Sequence, residues 1–492
     1  MTIMKLKYIL SIVVGIVILA SCENFLDLTP HDELSYEQAF STVSDVQIAA
    51  RGIYYEMHEN TGYFDGQHMI LPDIMSDNVI LCSEGRLTFD LMHAWDITPG
   101  NFYVDRAWSQ IYKVVNRCNQ VIARSEPVVA EGNDILLKNH SIGEAYAIRG
   151  MAYFDLVRYY GKNYADATDS DLGVAYVTDP GPTSPGRNTV KECYNNIVAD
   201  LKMGEQLMES GSISASEIPI RFNAMAAKAM LARVYLTMEV WDTAISYATE
   251  VINAAPMASI ANFEDVWRDA SDEGVLFKVR MTEADNSSTT SGSTIGVYYN
   301  QSSGTDIRSE FVCSYEFFQL LNDPNDVRLG WIFTSEYNGK MFNHILKYKE
   351  REGGTVPDLV DAKVLRVAEM YLTRAEASMN LASPDEATAL ADLNSLRAER
   401  YAGFTPGSES GQALRDAIRL ERRKELAFEG QRWFDLKRYA EGISRGDFGD
   451  EADGGGLSYR TLDLPASSYL WQLPIPTPEM DANDNMIQND DY

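Results

Sequence analysis

Apolar residues recur along this chain at helical spacing far more often than at strand spacing. Between Ser141 and Tyr160 they fall at Ile142, Tyr146, Tyr153, Leu156, Val157 and Tyr160, and Gly161 then marks a stop. The same pattern predicts helices over Glu37–Glu59, Val104–Ser125 and Arg187–Glu209, the last opening on Asn188 or Thr189 as its cap. A finer regularity follows. With Ala232 taken as a packing residue, Tyr235 lies three positions on, Ala244 twelve, Ala248 sixteen and Pro256 twenty-four. Those offsets fit a tetratricopeptide unit of about 34 residues, in which small side chains sit where two helices touch. The twelve-residue offset returns between Ala375 and Ala387, inside Arg366–Arg400. Helix pairs stacked as a short superhelix are therefore expected, with plain antiparallel helices as the alternative.

Residues 258–360 break the helical pattern. Gly274–Arg280 alternates weakly, as a strand does. Asp285–Thr294 is a polar loop, and residues 401–412 and 445–458 are further Gly/Ser/Asp loops. Tyr298, Tyr299, Phe311, Tyr315, Phe317, Phe318, Trp331 and Phe333 place many aromatics among loop residues. Leu473–Pro478, with three prolines, must run extended.

The N-terminus decides the compartment. Lys5 and Lys7 precede an apolar run of 12 residues, Tyr8–Leu19, too short to span a bilayer but right for the core of a signal peptide. Leu19-Ala20-Ser21-Cys22 then forms a lipobox, in which small residues admit a signal peptidase and the Cys22 thiol accepts lipid. Residues 1–21 read as signal peptide and 22–35 as a polar tether; a secreted protein with a chance cysteine is the alternative. Two or three acyl chains would hold the protein at a membrane. No other stretch resembles a transmembrane helix.

Composition narrows the partners. The chain has 492 residues, 45% apolar and 23% charged, a globular profile with ample core. Its net charge of −30 repels phosphate backbones, so nucleic acid is not an expected partner. Cys82, Cys118, Cys193 and Cys313 lie far apart, without metal-site spacing, and a chain of this size needs no disulfide staples. Buried free thiols are expected, with the three possible pairings of four cysteines in an exported chain as the alternative. The six histidines form no H-E-x-x-H, and G-x-S-x-G, G-x-G-x-x-G and P-loop motifs are absent. Asp447, Asp450, Glu451 and Asp453 cluster beside Gly454 and offer hard oxygens for Ca²⁺, but without EF-hand spacing, so a solvated acidic loop is the better reading. No cofactor is implied.

Several motifs then line up in order. The lipobox leads to Phe25-Leu26-Asp27 and Pro30. Glu144–Leu156 (EAYAIRGMAYFDL) precedes Tyr160-Gly161, and Arg187-Asn188-Thr189-Val190 precedes Tyr194, Ile197 and Asp200-Leu201. Ala226–Leu236 (AAKAMLARVYL), Arg366–Ala377 (RVAEMYLTRAEA) and Leu393–Arg397 follow. Glu421–Arg438 (ERRKELAFEGQRWFDLKR) leads to Leu473–Pro476, Glu479, Asn483 and Gln488-Asn489. Over nearly its whole length the chain resembles the SusD/RagB family of Bacteroidetes outer-membrane lipoproteins. It departs at Asp490-Asp491, where that family usually carries Pro-Gly.

The resemblance implies a mainly α fold: a tetratricopeptide-like α/α superhelical scaffold carrying a loop-rich, irregular ligand-binding half with a few short strands. The N-terminal helical region would be 36–257. The C-terminal region would be 258–492, loop-rich to 360, helical over 361–440 and extended at the tail. It also implies a non-catalytic surface protein that binds oligosaccharides and sits as a lid on a SusC-like TonB-dependent transporter in the outer membrane. Peptide or glycopeptide capture is a second reading and a surface glycosidase a third.

Most matching residues read as scaffold. Glu421, Glu425 and Glu429 share a helical stripe whose like charges need cations, for which Arg397, Arg400, Arg432 and Arg438 are candidates. Trp433-Phe434 reads as core. Sugar rings stack their C–H faces on flat aromatics, and their hydroxyls need amides, carboxylates or guanidinium forks. Within the loops around 62–103 and 295–333, Trp95, Tyr298, Tyr299 and Trp331 are the candidate platforms. Asp77, Asn78, Arg86 and Asn101 are the polar candidates. Each ring could instead be core, and each polar group part of a solvated loop.

Overall fold

A computed structural model describes residues 39–58, 63–64, 66–211, 213–282, 295–303, 306–356 and 358–492. The lipobox, Cys22, the tether and the Asp285–Thr294 loop lie outside the described residues. The principal helices are α1 (Val43–His58), α2 (Gln67–Ile74), α3 (Phe102–Ser125), α4 (Asn133–Tyr160), α5 (Val190–Glu209), α6 (Ala224–Thr237), α7 (Trp241–Ala254), α8 (Val367–Met379), α9 (Glu386–Ala398), α10 (Gly411–Glu425) and α11 (Arg432–Arg438).

Helix starts follow capping chemistry. Thr189 Oγ1 accepts from Glu192 N at 3.2 Å while the Glu192 carboxylate accepts from Thr189 N at 2.9 Å, a complete capping box that opens α5. Asn101 caps α3, whose first residue, Phe102, lies two positions ahead of the expected start. Helix α4 begins at Asn133 rather than Ser141, because its first turns are mostly exposed and carry no apolar stripe.

The helices stack in the order α3, α4, α5, α6, α7, α8, with α9 and α10 against α8 and α1 across α3 and α4. The α4/α5 crossing is the tightest. A methyl group on Gly204 would lie 2.7 Å from the Gly143 carbonyl oxygen and 2.8 Å from Ala147 Cβ, so only glycine admits this approach. Arg149 clamps the same pair, donating from Nε and Nη2 to Asp200 at 2.7 Å each and from Nη1 to Asn119 of α3 at 2.9 Å. In the α6/α7 pair, Ala232, Ala244 and Ala248 are all fully buried, as the repeat offsets require. In the α8/α9 pair the offset fails. Ala375 is buried but Ala387 is exposed, since α9 starts at Glu386 and turns Ala389 inward instead.

Between α7 and α8 the chain leaves the stack. Among the described residues, five two-stranded antiparallel sheets carry the irregular part. They pair β1 (Val79–Leu81) with β5 (Phe311–Cys313), β2 (Val275–Val279) with β8 (Ala362–Arg366), β3 (Gln301–Ser303) with β4 (Asp306–Arg308), β6 (Ile332–Tyr337) with β7 (Lys340–Ile345), and β9 (Ile443–Ser444) with β10 (Asp463–Leu464). The fold is mainly α. The β2/β8 ladder closes the neck of this excursion and feeds directly into α8. Arg233 of α6 donates to both Glu369 oxygens at 2.7 and 2.6 Å, so a buried ion pair ties α6 to α8 across the excursion. One apolar core runs from Ile53 to Met486 through both regions.

The acidic stripe needs correction in two places. Helix α10 ends at Glu425, so Glu429 follows in a turn. Arg397 binds Glu421, and Arg400 binds Glu425, as expected. Arg432 instead pairs with Asp77, and Arg438 with Glu376 and Asp435. The remaining cations come from afar: Arg328 to Glu421, Arg366 to Glu425 and Glu429, Lys347 to Glu429. Burial alone would raise the Glu425 carboxyl, yet the Arg400 and Arg366 guanidiniums hold it well below the carboxylate range. Trp433 and Phe434 are core. Cys82, Cys118, Cys193 and Cys313 are free and buried. Leu473–Pro476 is extended, but Pro478 sits in the first turn of a short helix, Thr477–Ala482, where its missing N–H costs nothing. Asp450 organises the 447–458 loop: its carboxylate accepts from Ser83 N and Leu457 N, each at 2.6 Å.

Candidate functional site

The eight ligand-binding candidates separate into a surface cluster and several buried ones. Trp95 is buried, with φ of 58°. Its indole N–H donates to Met75 O at 2.8 Å, and the Arg445 guanidinium lies 4.0 Å from its ring centroid. Both partners are structural, so this ring offers no face to a sugar. Tyr299 is fully buried between Tyr348 and Phe428. Asp77 is clamped by Arg432 and Arg423, which overcome its burial and hold its carboxyl well below the usual range. Asn78 is fully buried and spends its amide on Arg423 and Asp73.

Arg86 and Tyr298 come together, although the Tyr298 ring is itself buried, and Asn101 is joined to them only through Tyr103 and Phe89. Glu310, itself buried at the start of β5, organises them. One carboxylate oxygen accepts from Arg86 N at 2.8 Å and Arg86 Nε at 3.2 Å. The other accepts from Thr88 N at 2.7 Å and Thr88 Oγ1 at 2.9 Å. The Arg86 side chain remains 41% exposed, and its guanidinium lies 6.0 Å from the Tyr298 ring centroid. Phe89 joins these to the head of α3: it meets Tyr298 edge-on at 5.4 Å and stacks on Tyr103 at 4.0 Å. Asn101 accepts from Tyr103 N and so sets the direction of the next ring.

That ring, Phe102, is the residue the sequence pattern passed over. It is 58% exposed, edge-on to Tyr103 at 5.4 Å, with the Arg106 guanidinium 5.4 Å from its centroid. The signal was present: the buried face of α3 runs through Val104, Ala107, Trp108 and Ile111, and Phe102 lies off it. Leu87 (φ 57°), on the adjoining loop, and Leu91, in the short helix Asp90–His93 that follows it, are also exposed. The result is a surface with open apolar faces and a guanidinium fork whose position is fixed by Glu310. Such a surface can stack a pyranose and hydrogen-bond its hydroxyls.

Trp331 occupies a different place. It lines a cavity of about 520 Å³ with Phe263, Trp267, Arg268, Lys347 and Glu350. The Lys347 ammonium lies 3.8 Å from the Trp331 centroid and 4.1 Å from that of Trp267, and burial pushes its pKa down to about 7. The indole N–H groups of both tryptophans have no protein partner.

Residues 24–236 match a family described as starch-binding and associating with the outer membrane, and residues 258–492 match the SusD family. The SusD-like protein P2 of Formosa agariphila is 26% identical, over 98% of this chain and 99% of its own length. The starch-binding protein SusD of Bacteroides thetaiotaomicron is 32% identical, over 28% of this chain and 22% of its own. The crystal structure of a SusD superfamily protein from Bacteroides thetaiotaomicron VPI-5482 superposes with a TM-score of 0.80 at 26% identity, covering 91% of this chain and 99% of that one. Among the described residues, no helix is long and apolar enough to cross a membrane.

Proposed function

The chain belongs to the SusD/RagB family, and from that premise we propose that it is a non-catalytic, lipid-anchored glycan-binding protein of the outer membrane. It captures oligosaccharides at the cell surface and passes them to a SusC-like TonB-dependent transporter. The observation that carries this reading is the Arg86 fork positioned by Glu310 at one end of an aromatic row, Tyr298, Phe89 and Tyr103, that leads to the exposed Phe102 ring. Glu310 accepts four hydrogen bonds from the protein, which makes it a support for Arg86 rather than a proton donor to a leaving group. Lipid on Cys22 keeps the fold near the barrel mouth, and the stacked helices provide a rigid docking face.

The test is calorimetric titration of the mature protein with a panel of neutral oligosaccharides, followed by chromatography of the incubated sugars. Binding in the micromolar range, about −8 kcal/mol, with the sugar recovered intact is expected. Steady product formation would overturn the non-catalytic reading. Binding of peptides but of no glycan would overturn the ligand class. Isolation from detergent-solubilised outer membranes should recover a TonB-dependent barrel; recovery of this chain alone would refute the transporter partnership.

A further inference from the structure

The surface around Phe102 does not end at that ring. Helix α3 carries Phe102, Asp105, Ser109, Lys113 and Asn116 at three- and four-residue spacing, so they form one stripe along its outer side. Each of these residues is exposed or half-buried. At about 1.5 Å per residue the stripe runs about 21 Å, several times the width of a pyranose ring.

Two cavities flank the stripe and share its middle. The first, about 400 Å³, is lined by Phe102, Arg106 and Gln110 of α3 and by Glu56 of α1. The second, about 500 Å³, is lined by Trp108, Tyr112 and Asn116 on one side, and on the other by the segment 175–185 with Pro478 and Glu479 of the tail. Asp105, Ser109 and Lys113 line both, so the two form one continuous groove.

The walls of the second cavity are fixed. Tyr112 OH donates to Ala175 O at 2.8 Å and Asn119 Nδ2 to Val177 O at 3.0 Å, which ties this backbone to α3. Beyond it, Pro180, Pro182 and Pro185 each hold their own φ. Asn483 and Asn485 of the tail donate to Pro185 O at 2.9 Å and Ser184 O at 2.8 Å. The tail is itself held beside the start of α3, where Thr477 N donates to Pro99 O at 3.0 Å. A groove whose walls are already ordered binds without the cost of ordering them. Tyr112, Pro182, Pro185 and Pro478 give it flat apolar faces. Among the described residues, the Asp105 and Asp179 carboxylates and the Asn116 amide make no hydrogen bond or ion pair. Apolar faces beside unspent polar groups match the C–H faces and hydroxyls of linked pyranoses.

We propose that this groove is a second binding segment, continuous with the Arg86–Phe102 surface, and that the ligand is a linear oligosaccharide of several units lying along α3 from Phe102 to Asn116. The inference rests on the reading of that surface as a glycan site. The sugar chain leaves Phe102, crosses Asp105 and Ser109, and enters between Tyr112 and the proline wall.

The test uses the two-unit and six-unit members of the malto-, cello-, xylo- and β-manno-oligosaccharide series with the mature protein. In the series that binds, the six-unit sugar is expected to bind about tenfold more tightly than the two-unit one. Asn116→Cys then places a thiol at the far end of the groove, at an exposed position, and the wild-type protein serves as the blank because Cys82, Cys118, Cys193 and Cys313 are buried. At ten times its Kd the six-unit sugar should slow alkylation of that thiol by about tenfold, while the two-unit sugar at ten times its own Kd leaves the rate unchanged. Unaltered affinity of the variant for the two-unit sugar shows that it is folded; should it fail to fold, the wild-type length series decides alone. Equal affinities for the two lengths, with an unprotected thiol, would overturn the inference and leave the Phe102 surface standing. Failure of every neutral series to bind would refute the glycan reading itself, and this inference with it.

Discussion

Truncating Phe102 to alanine isolates the stacking contribution of the surface cluster. A phenylalanine side chain offers about 200 Å². At 58% exposure roughly 100 Å² remains open, and one sugar face covers about half of that. At about 25 cal/mol per Å², the ring contributes about 1.3 kcal/mol, or close to tenfold in affinity. The fold should be unaffected, since the ring is largely in water and lies off the buried face of α3. Arg86→Ala removes the guanidinium fork and should cost more, about tenfold to a hundredfold, because charged hydrogen bonds are worth about 1.5–3 kcal/mol. The assay is calorimetric titration of wild type and both variants with the tightest oligosaccharide found, alongside thermal unfolding of each. Trp331→Phe serves as the contrasting variant, since it keeps an aromatic ring in the separate cavity while removing the indole N–H. Unchanged affinity in Phe102→Ala and Arg86→Ala, with a tenfold loss in Trp331→Phe, would refute the surface site and move the sugar to the Trp267–Trp331 cavity.

Further outcomes follow from the same physical terms. Glu425→Gln leaves the Arg400 guanidinium without a countercharge in a fully buried site and Arg366 with Glu429 alone, and should cost about 3–5 kcal/mol, lowering Tm by about 3–5 °C; an unchanged Tm would contradict the network. Burial pushes His68 and His344 down to about 4, so the unfolded chain takes up their protons first, and their contribution is complete above about pH 6.5 and lost as pH falls toward 4. Each is worth about 3 kcal/mol over that window. Asp73, pushed up to about 6 by burial, acts in the opposite sense and offsets less than half of the pair. Tm should therefore fall between pH 6.5 and 4, less steeply in His344→Gln, and a flat profile would show that the histidines are not desolvated. Cys22→Ala should move the protein from the membrane to the soluble fraction, and an intact mass without acyl groups on the native protein would exclude lipidation.

What was legible in the sequence divides along the range of the interaction. Helix identity is local: the Thr189–Glu192 capping box and the Ala232–Ala244–Ala248 packing set act within one or two turns, and both hold in the fold. The Ala375–Ala387 offset failed for an equally local reason, since the Asp385 cap sets the phase of α9 and turns Ala389 inward. Site residues depend instead on what covers them. Trp95 looks like a platform until Arg445, 350 positions away, closes one face. Asp77 and Asn78 look like hydroxyl acceptors until Arg423 of α10 and Arg432 of α11 arrive from about 350 positions away. Nothing near those residues in sequence announces their partners. Phe102 shows the converse. Its exposure follows from a stripe that can be drawn on α3 without any tertiary contact, so it is legible in the sequence, on a helix and not among loop residues. Glu310 was not, because a carboxylate that accepts four hydrogen bonds reads in sequence like any other acidic residue before a strand. An aromatic off the buried stripe of a capped helix is thus a stronger pointer to an exposed ring here than an aromatic in a loop, since loops crossing a large core bury their rings as thoroughly as helices do.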